Sequence, residues 1–530
     1  MKRTPLIGSA LLAVAAVVLT ACGGGSSSEA SGEPSDNILR VATQKPTSIV
    51  PGNSGGYFAL SVSETLFSGL VKYDSDTGEP VNLVADSIET EDQKVWDITL
   101  KDGWTFQNGE VVDAESFARG WNTTADPANA WVGSSQLAGI EGYDALNPDE
   151  GAPTADSLSG VEVTGPLSLT VTLTKPQSQF LYQIGQPAFY PLPAAALDDL
   201  EAFAAKPIGN GPYEISEPWT GGPEIKTVRY DEYGGEKAEN GGVTFKIYTG
   251  YDVAYRDFQA GAVDVTALLQ QDVESAKATL GDKFVQSASS NFTYLGVPTW
   301  SPAYADPRIR RALSLAIDRQ GIIDALLDSS TQPLTDFSAP SGNGYRADTD
   351  STNLDYDPER AKQLWDEAGG IDGQVKITVV TGTGRDEWSE AVLNQWATVL
   401  GLTDVTLEFI PSENTHAALR GRQVPNPVSL NTPVAYPSPF ALLGNAYRTG
   451  GGTNYNGYSN PEFDALLDQA AAATNEESTQ FYDQAKDILL DELPNIPLWS
   501  AGRAVAVADN VEGYTEDPFN KSPFTTVTVA

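Results

Sequence analysis

The residue with the clearest chemical role is Cys22, the single cysteine of the 530-residue chain. It closes the run Leu19-Thr-Ala-Cys, after an apolar stretch over residues 6–18 that two basic residues precede. A positive start, a short apolar core and small residues before a cysteine are typical of a bacterial lipoprotein signal. Cleavage would leave the thiol to carry diacylglycerol and the new amino group to be acylated, and two or more acyl chains anchor a protein stably. We therefore predict a signal peptide over residues 1–21 and lipid attachment at Cys22.

Two other interpretations of this stretch are a transmembrane helix and an ordinary secretory signal. The apolar stretch is shorter than the roughly 20 residues that a spanning helix needs, which favours the lipoprotein signal. Residues 22–37 are then predicted to form a flexible tether, because Gly and Ser dominate them and no apolar period appears.

Residues that could catalyse a reaction are scarce. The single histidine, His416, lies in a polar stretch without a cysteine nearby, so the sequence indicates neither a Ser-His-Asp triad nor a histidine-rich metal site. A calcium-like string runs from Asp348 to Glu359, but Asn353 stands where such a loop has its turn glycine, and Asp357 is better explained as a helix cap. We predict no catalytic residue, no metal site and no cofactor. A carboxylate-pair hydrolase stays an open alternative, because acidic residues are abundant.

The charge balance is strongly acidic, with 71 acidic residues against 32 basic ones and a formal net charge of −39. Such a field repels nucleic acid, so no nucleic-acid partner is expected. Without a second cysteine the mature chain has no internal disulfide, and its core must stabilise it. The length predicts two or three domains.

Strand and helix signals alternate after the tether. Alternating apolar and polar residues predict strands at 96–100, 167–173, 243–247 and 375–379. Three helices are each predicted to begin with a capping side chain followed by a proline, at Asp306-Pro307, Asp357-Pro358 and Asn460-Pro461. Gly369-Gly370 is predicted to end the second of them. The mixture favours an α/β fold.

Seven strings, in order along the chain, resemble one protein family. They lie at residues 66–74 with 77–81, 98–110 with 113–117, 207–213, 258–264, 304–319, 356–369 and 493–498. From about residue 38 to its end, the chain resembles the family 5 extracellular solute-binding proteins, the oligopeptide- and dipeptide-binding class that supplies ABC importers.

Some residues of these strings also have plain structural interpretations. Gly209 and Gly211 are expected to supply turn conformations. Arg308, Arg310 and Arg311 are expected to form the charged outer face of an amphipathic helix.

The resemblance implies a two-lobed periplasmic-binding-protein-like fold of the class II type with an extra α+β subdomain. It implies that lobe I combines residues 38–66, 185–284 and 498–530. The extra subdomain would be 67–184, and lobe II would be 285–497. Ligand would bind between the lobes, which close around it by a hinge motion.

The resemblance also implies a set of ligand-binding residues. Peptide-binding members hold the α-amino group of the peptide with an aspartate, and here Ala435 stands at that position with Thr432 and Tyr436 beside it. A methyl group cannot neutralise an ammonium, so either another carboxylate substitutes or the ligand lacks that ammonium. Tyr57 resembles part of the loop whose backbone pairs with an extended ligand. Trp388 is a candidate aromatic wall, with a core position as the alternative.

The sequence therefore predicts a lipid-anchored, non-enzymatic receptor on the outer face of the cytoplasmic membrane, expected to be a monomer. It would bind a peptide or a related small molecule and pass it to ABC permease subunits served by a separate ATPase. The alternatives are the same fold with a non-peptide ligand such as an oligosaccharide or opine, the secreted hydrolase, and a signalling receptor.

Overall fold

The structure is a computed structural model, and it describes residues 37–530 with several short gaps. The gaps are residues 76, 149, 288–289, 341–343, 347–348, 350–351, 433, 435, 518 and 520–522, and residues 412 and 413 are described by their backbone alone. Cys22 and the predicted signal and tether lie outside the described residues, apart from Asn37. Among the residues described, no helix has the length and apolar character to cross a membrane.

Strands and helices alternate along the chain. The segment before residue 67 contains β1 (Ile38–Thr43) and α1 (Tyr57–Leu66). The next segment contains β2 (Val71–Tyr73), β3 (Pro80–Asn82), β4 (Ala85–Glu89), β5 (Val95–Leu100), α2 (Ala114–Ala125), α3 (Tyr143–Leu146), β6 (Val161–Gly165), β7 (Ser168–Thr172) and α4 (Phe180–Gln183). It is followed by α5 (Leu200–Ala205), β8 (Tyr213–Ile215), β9 (Glu224–Arg229), β10 (Gly242–Ile247), α6 (Tyr251–Gln259), β11 (Val265–Ala267), α7 (Gln270–Leu280) and β12 (Phe284–Ser287).

The second half of the chain continues this alternation. It contains β13 (Phe292–Gly296), α8 (Pro307–Leu315), α9 (Arg319–Leu326), β14 (Gln332–Pro333), α10 (Pro358–Ala368), β15 (Val375–Val380), α11 (Asp386–Leu400), β16 (Val405–Ile410), α12 (Ser412–Arg420), β17 (Val428–Thr432), α13 (Pro439–Ala446), α14 (Pro461–Ala472), α15 (Asn475–Glu492) and β18 (Asn495–Ser500). The chain ends with β19 (Arg503–Val507), β20 (Val511–Glu512) and β21 (Thr528–Val529). Short 3-10 helices lie at Pro51–Asn53, Ser134–Leu137, Pro187–Phe189, Ala194–Leu197, Gly281–Lys283 and Phe524–Thr526.

Three large sheets organise these elements. The first has the strand order β12-β19-β11-β1-β10-β9-β8, and we call the body built on it lobe I. The second has the order β14-β18-β13-β17-β15-β16 and defines lobe II. The third is a four-stranded antiparallel sheet, β4-β5-β7-β6, and we call the body built on it the extra subdomain. The mixed parallel and antiparallel pairing in both lobe sheets confirms the α/β prediction.

Local signals place the helix starts of lobe II. Asp306 accepts a hydrogen bond from the Arg308 amide at 2.8 Å, Asp357 accepts one from the Arg360 amide, and Asn460 caps α14 in the same way. Each of these helices has a proline at its first position, as predicted, because proline lacks the amide proton that would be unsatisfied there.

The outer-face prediction for Arg310 is wrong. Only 4% of this residue is exposed, and its guanidinium donates to the carbonyls of Glu492 and Leu493 at the end of α15 and to those of Tyr304 and Ala305. The arginine therefore joins two distant helices from inside lobe II.

Gly209 and Gly211 were expected to supply turn conformations, but the structure gives them a different role. Gly209 and Gly211 do not have positive φ angles. A Cβ on Gly209 would lie 1.9 Å from the Leu66 carbonyl oxygen, and one on Gly211 would lie 2.5 Å from the Leu66 carbonyl carbon. These glycines permit a close approach to the end of α1 rather than a special turn.

Candidate functional site

The chain crosses between the two lobes at two adjacent places. One crossing joins β12 of lobe I to β13 of lobe II, and the other joins β18 of lobe II to β19 of lobe I. The strands stay paired on both sides, because Ser287 pairs with Arg503 in lobe I and Thr293 pairs with Trp499 in lobe II. The strands on each side run antiparallel, and we call the place where the two connections lie the hinge.

Glycine is required at this hinge. A Cβ on Gly502 would lie 2.7 Å from the carbonyl oxygen of Ser287 and 2.8 Å from the Cβ of Ser330. The two crossings therefore pack more closely than any larger residue at position 502 would allow.

Tyr57 lies on lobe I beside the hinge. It begins α1, after Gly56, which has a φ of 78°. Its hydroxyl accepts a hydrogen bond from the guanidinium of Arg503, whose central carbon lies 4.6 Å from the centre of the Tyr57 ring. Together with Thr43 and Ser61, these two side chains line a small cavity on this side of lobe I.

A buried carboxylate supports Arg503. The Glu516 side chain is fully buried and lies 2.8 Å from a guanidinium nitrogen of Arg503. Burial raises the pKa of Glu516, and the positive charge of Arg503 opposes that rise. This pair fixes the first residue of β19 where the chain returns to lobe I.

On lobe II, Thr432 ends β17. Its hydroxyl lies 3.2 Å from the hydroxyl of Tyr294 on the neighbouring strand, and the two groups share a hydrogen bond. Ala435 lies outside the described residues, so its predicted role stays a prediction.

Arg385 is a site candidate that the sequence analysis missed. It precedes α11 and donates to the carbonyl of Ser429 at 3.1 Å, and burial lowers its pKa. Gly382 and Gly384 have φ angles of 77° and 66°, so they turn the chain and bring Arg385 back towards β17. An arginine after a glycine-rich strand end was the signal that could have identified it.

Tyr436 belongs to a segment of lobe II that reaches the extra subdomain. It is 9% exposed, and burial raises its pKa. Two residues later, Ser438 caps α13 by accepting from the Phe440 amide, and its hydroxyl donates to the Gln179 side chain of the subdomain. We call the described residues of this stretch, Thr432, Val434 and 436–438, the cleft segment.

Further hydrogen bonds join the subdomain to lobe II. The Ser178 amide donates to the carbonyl of Ala471 at 2.8 Å, and the Ser178 hydroxyl donates to that of Ala470 at 3.0 Å. Gln179 also donates to Asn475. The subdomain therefore holds the same face of lobe II that carries the cleft segment.

The structure places Trp388 in the core of lobe II. It is 5% exposed, and its ring packs edge-on against Trp499 with the ring centres 5.1 Å apart. Its assignment to the ligand site stays a prediction, while its packing role is shown by the contact with β18.

Neither a metal site nor a histidine site stands out in the parts of the chain that the structure describes. No group of three or more His, Cys, Asp or Glu side chains there could hold a metal ion. The Nδ1 atom of His416 lies 2.7 Å from the Tyr455 hydroxyl, which gives it a simple hydrogen-bond partner.

Comparisons with known proteins assign the family. The family model described as "Bacterial extracellular solute-binding proteins, family 5 Middle" matches residues 79–483. The periplasmic murein peptide-binding protein MppA of Escherichia coli is 26% identical over 501 residues, 90% of each chain. The oligopeptide-binding protein OppA of Bacillus subtilis is 24% identical over 534 residues, 95% of each chain.

A solved structure shows the same fold. The unliganded open form of the murein tripeptide-binding protein MppA matches with a TM-score of 0.79 and 22% identity, covering 93% of this chain and 98% of that one. Since the family model spans about three quarters of a chain with this architecture, the protein belongs to the family 5 bacterial extracellular solute-binding proteins.

Proposed function

We propose that this chain is the receptor of an ABC importer and that it binds a peptide between lobe I and lobe II. The observation that carries the proposal is the pair of adjacent crossings at Gly502 and Ser287, since two lobes joined in this way can rotate about them. The similar proteins MppA and OppA are named for binding peptides, which supports the ligand class.

Closure makes binding useful to a permease. Ligand shifts the open–closed equilibrium only to the extent that it binds the closed form more tightly. A peptide that touches Tyr57 and Arg503 on one side and the cleft segment on the other gains contacts from both lobes only when they close. The closed form would then dock on the permease subunits.

The polar groups of the cleft suit a peptide. Arg385 is a half-buried cation that donates to Ser429 near the start of β17, and a guanidinium binds a carboxylate well. The hydroxyls of Thr432 and Tyr57 could pair with backbone groups of an extended ligand.

Titration calorimetry with peptides of two to nine residues tests this proposal. We expect one peptide to bind per chain, and mass spectrometry after a long incubation should recover it unchanged. Absence of binding across the set, with binding of an oligosaccharide or an opine instead, would favour the alternative ligand class. Cleavage of the peptide would contradict the non-enzymatic role.

We also propose that Cys22 anchors the protein to the outer face of the cytoplasmic membrane. The signal-like sequence before it supports this, and its removal gives a direct test. Cys22→Ser should move the protein from the membrane fraction to the soluble extracytoplasmic fraction. A variant that stays in the membrane fraction would show that something other than the lipid holds it.

A further inference from the structure

The extra subdomain completes the end of a helix in lobe II. The last carbonyls of an α-helix have no partner within the helix, so they need donors from elsewhere. Near the end of α14, the carbonyl of Ala471 accepts from the Ser178 amide at 2.8 Å, and that of Ala470 accepts from the Ser178 hydroxyl at 3.0 Å. One serine of the subdomain therefore supplies both donors to this helix end.

Gln179 adds two side-chain hydrogen bonds at the same place. Its amide nitrogen donates to Asn475, the first residue of α15, at 3.4 Å, and its oxygen accepts from the hydroxyl of Ser438 in the cleft segment. Ser178, Gln179 and Ser438 are all buried, and a buried polar side chain is costly without a hydrogen-bond partner. These side chains find their partners across the interface, and we call Ser178 and Gln179 the latch.

The latch is held firmly on the subdomain side. Phe180, the next residue, is buried in the core of the subdomain, with its ring centre 5.5 Å from that of Trp96 on β5. On the other side, the Gln177 amide donates to the carbonyl of Gln93 at 2.8 Å. Because both neighbours are fixed in this way, the latch moves with the subdomain and not with lobe II.

The subdomain in turn is fixed to lobe I. The side chain of Gln107 accepts from the Gly209 amide at 2.7 Å and donates to the carbonyl of Tyr213 on β8 at 2.8 Å. The Tyr230 hydroxyl donates to the carbonyl of Phe106 at 3.1 Å, in a buried position. A rotation of lobe II about the hinge is therefore also a rotation against the latch.

We propose that the latch is a closure contact, which binds lobe II in the closed orientation and releases it when the lobes open. Gln179 is then a positioning residue for the ligand site, because it holds Ser438 at the end of the cleft segment. The inference rests on the proposed function, in which the two lobes open and close around a ligand. Water replaces the lost partners in the open form, so the latch shifts the open–closed equilibrium without fixing it.

The first test needs no ligand and uses Gln179→Ala, which removes two hydrogen bonds across the interface. We expect the open–closed equilibrium to shift towards the open form by about fivefold or more. Small-angle X-ray scattering should show a larger radius of gyration, and hydrogen exchange of the Ser178 amide should become faster, because its acceptor belongs to lobe II.

Gln183→Ala is the matched control. The Gln183 side chain is half-buried and donates to the carbonyl of Gln136 at 2.8 Å, within the subdomain. This variant should change neither the radius of gyration nor the exchange of the Ser178 amide. Ser178→Ala, which loses the hydroxyl but keeps the amide, is a second test variant and should shift the radius in the same direction as Gln179→Ala.

Two results would overturn the latch. An unchanged radius of gyration in both Gln179→Ala and Ser178→Ala would show that the contact does not depend on the orientation of the lobes. Faster exchange of the Ser178 amide without a change in radius would show a local contact that is present in the open and the closed form alike.

Calorimetry with the peptides of two to nine residues separates this inference from the proposed function. We expect Gln179→Ala to bind them more weakly than the wild type, because a smaller fraction of the protein is closed, and Gln183→Ala to bind them equally well. If the wild type binds none of these peptides, the peptide proposal fails, while scattering and exchange still decide the role of the latch. Weaker binding without a change in radius would contradict a role in closure.

Discussion

At the scale of single residues, buried cations hold lobe II together. Arg310 donates to four backbone carbonyls, two of them more than 180 residues away in the sequence. The planar guanidinium presents five donors in a fixed fork, so it can bind several carbonyls that a lysine cannot reach together. Burial lowers the pKa of Arg310 to about 10, which leaves it charged at neutral pH.

Arg310→Lys should therefore destabilise the protein strongly. We expect the free energy of unfolding to fall by about 2–4 kcal/mol, because buried carbonyls lose their donors. Urea unfolding followed by circular dichroism measures this change. Arg308→Lys is the control, since Arg308 is 46% exposed and pairs with Asp306 at the surface, and it should leave the unfolding midpoint unchanged. Similar shifts in both variants would contradict the role of Arg310.

A buried carboxylate gives a prediction about pH. Burial alone would raise the pKa of Asp336, but Arg346 and Lys486 hold it below its usual value of 3.8. Lys486 is fully buried and lies 3.0 Å from Asp336. A carboxyl with a lowered pKa stabilises the folded state above its unfolded pKa and loses that contribution as the pH falls through its folded pKa.

The wild type should accordingly be more stable than Asp336→Asn at neutral pH, and the difference should shrink as the pH falls from about 5 to below about 3. Urea unfolding at a series of pH values measures it. Asp366→Asn removes an exposed carboxylate that pairs with Lys362 and serves as the control. A difference that is constant with pH would show that Asp336 does not titrate as described.

At this scale, the sequence correctly predicted the features that depend on residues close together in the chain. The starts of α8, α10 and α14 follow from a capping side chain and a proline within two residues of each other. The burial of Arg310 depends on the end of α15, and the position of Arg385 depends on the neighbouring strand β17. Neither contact leaves a local pattern, because the partner carbonyls belong to the backbone and can come from any residue type.

At the scale of elements, the hinge strands depend on Gly502. Gly502→Ala should push the crossings apart and lower the free energy of unfolding by about 1–3 kcal/mol, because its Cβ would overlap the Ser287 carbonyl. Urea unfolding measures the loss. Gly222→Ala is a control with no atom within 4 Å of the added Cβ, so it should have little effect. Equal stability of the two variants would show that the crossings have room to adjust.

At the scale of the whole molecule, the formal net charge is −39, so the excess acidic side chains repel one another. Salt shortens the Debye length from about 30 Å at 0.01 M to about 3 Å at 1 M, so it screens this repulsion. We expect the thermal midpoint to rise when sodium chloride is added over this range. A falling midpoint would mean that attractive ion pairs outweigh the repulsion in the folded state.

The place of β19 in its sheet governs the order in which the molecule can be completed. This strand comes from residues near the chain end, yet it lies between β12 and β11 and pairs with both. A nascent chain that lacks it leaves β12 without its neighbour, and contacts between such distant residues form slowly. Lobe I can therefore complete its sheet only after the residues of lobe II that precede β19 have been synthesised.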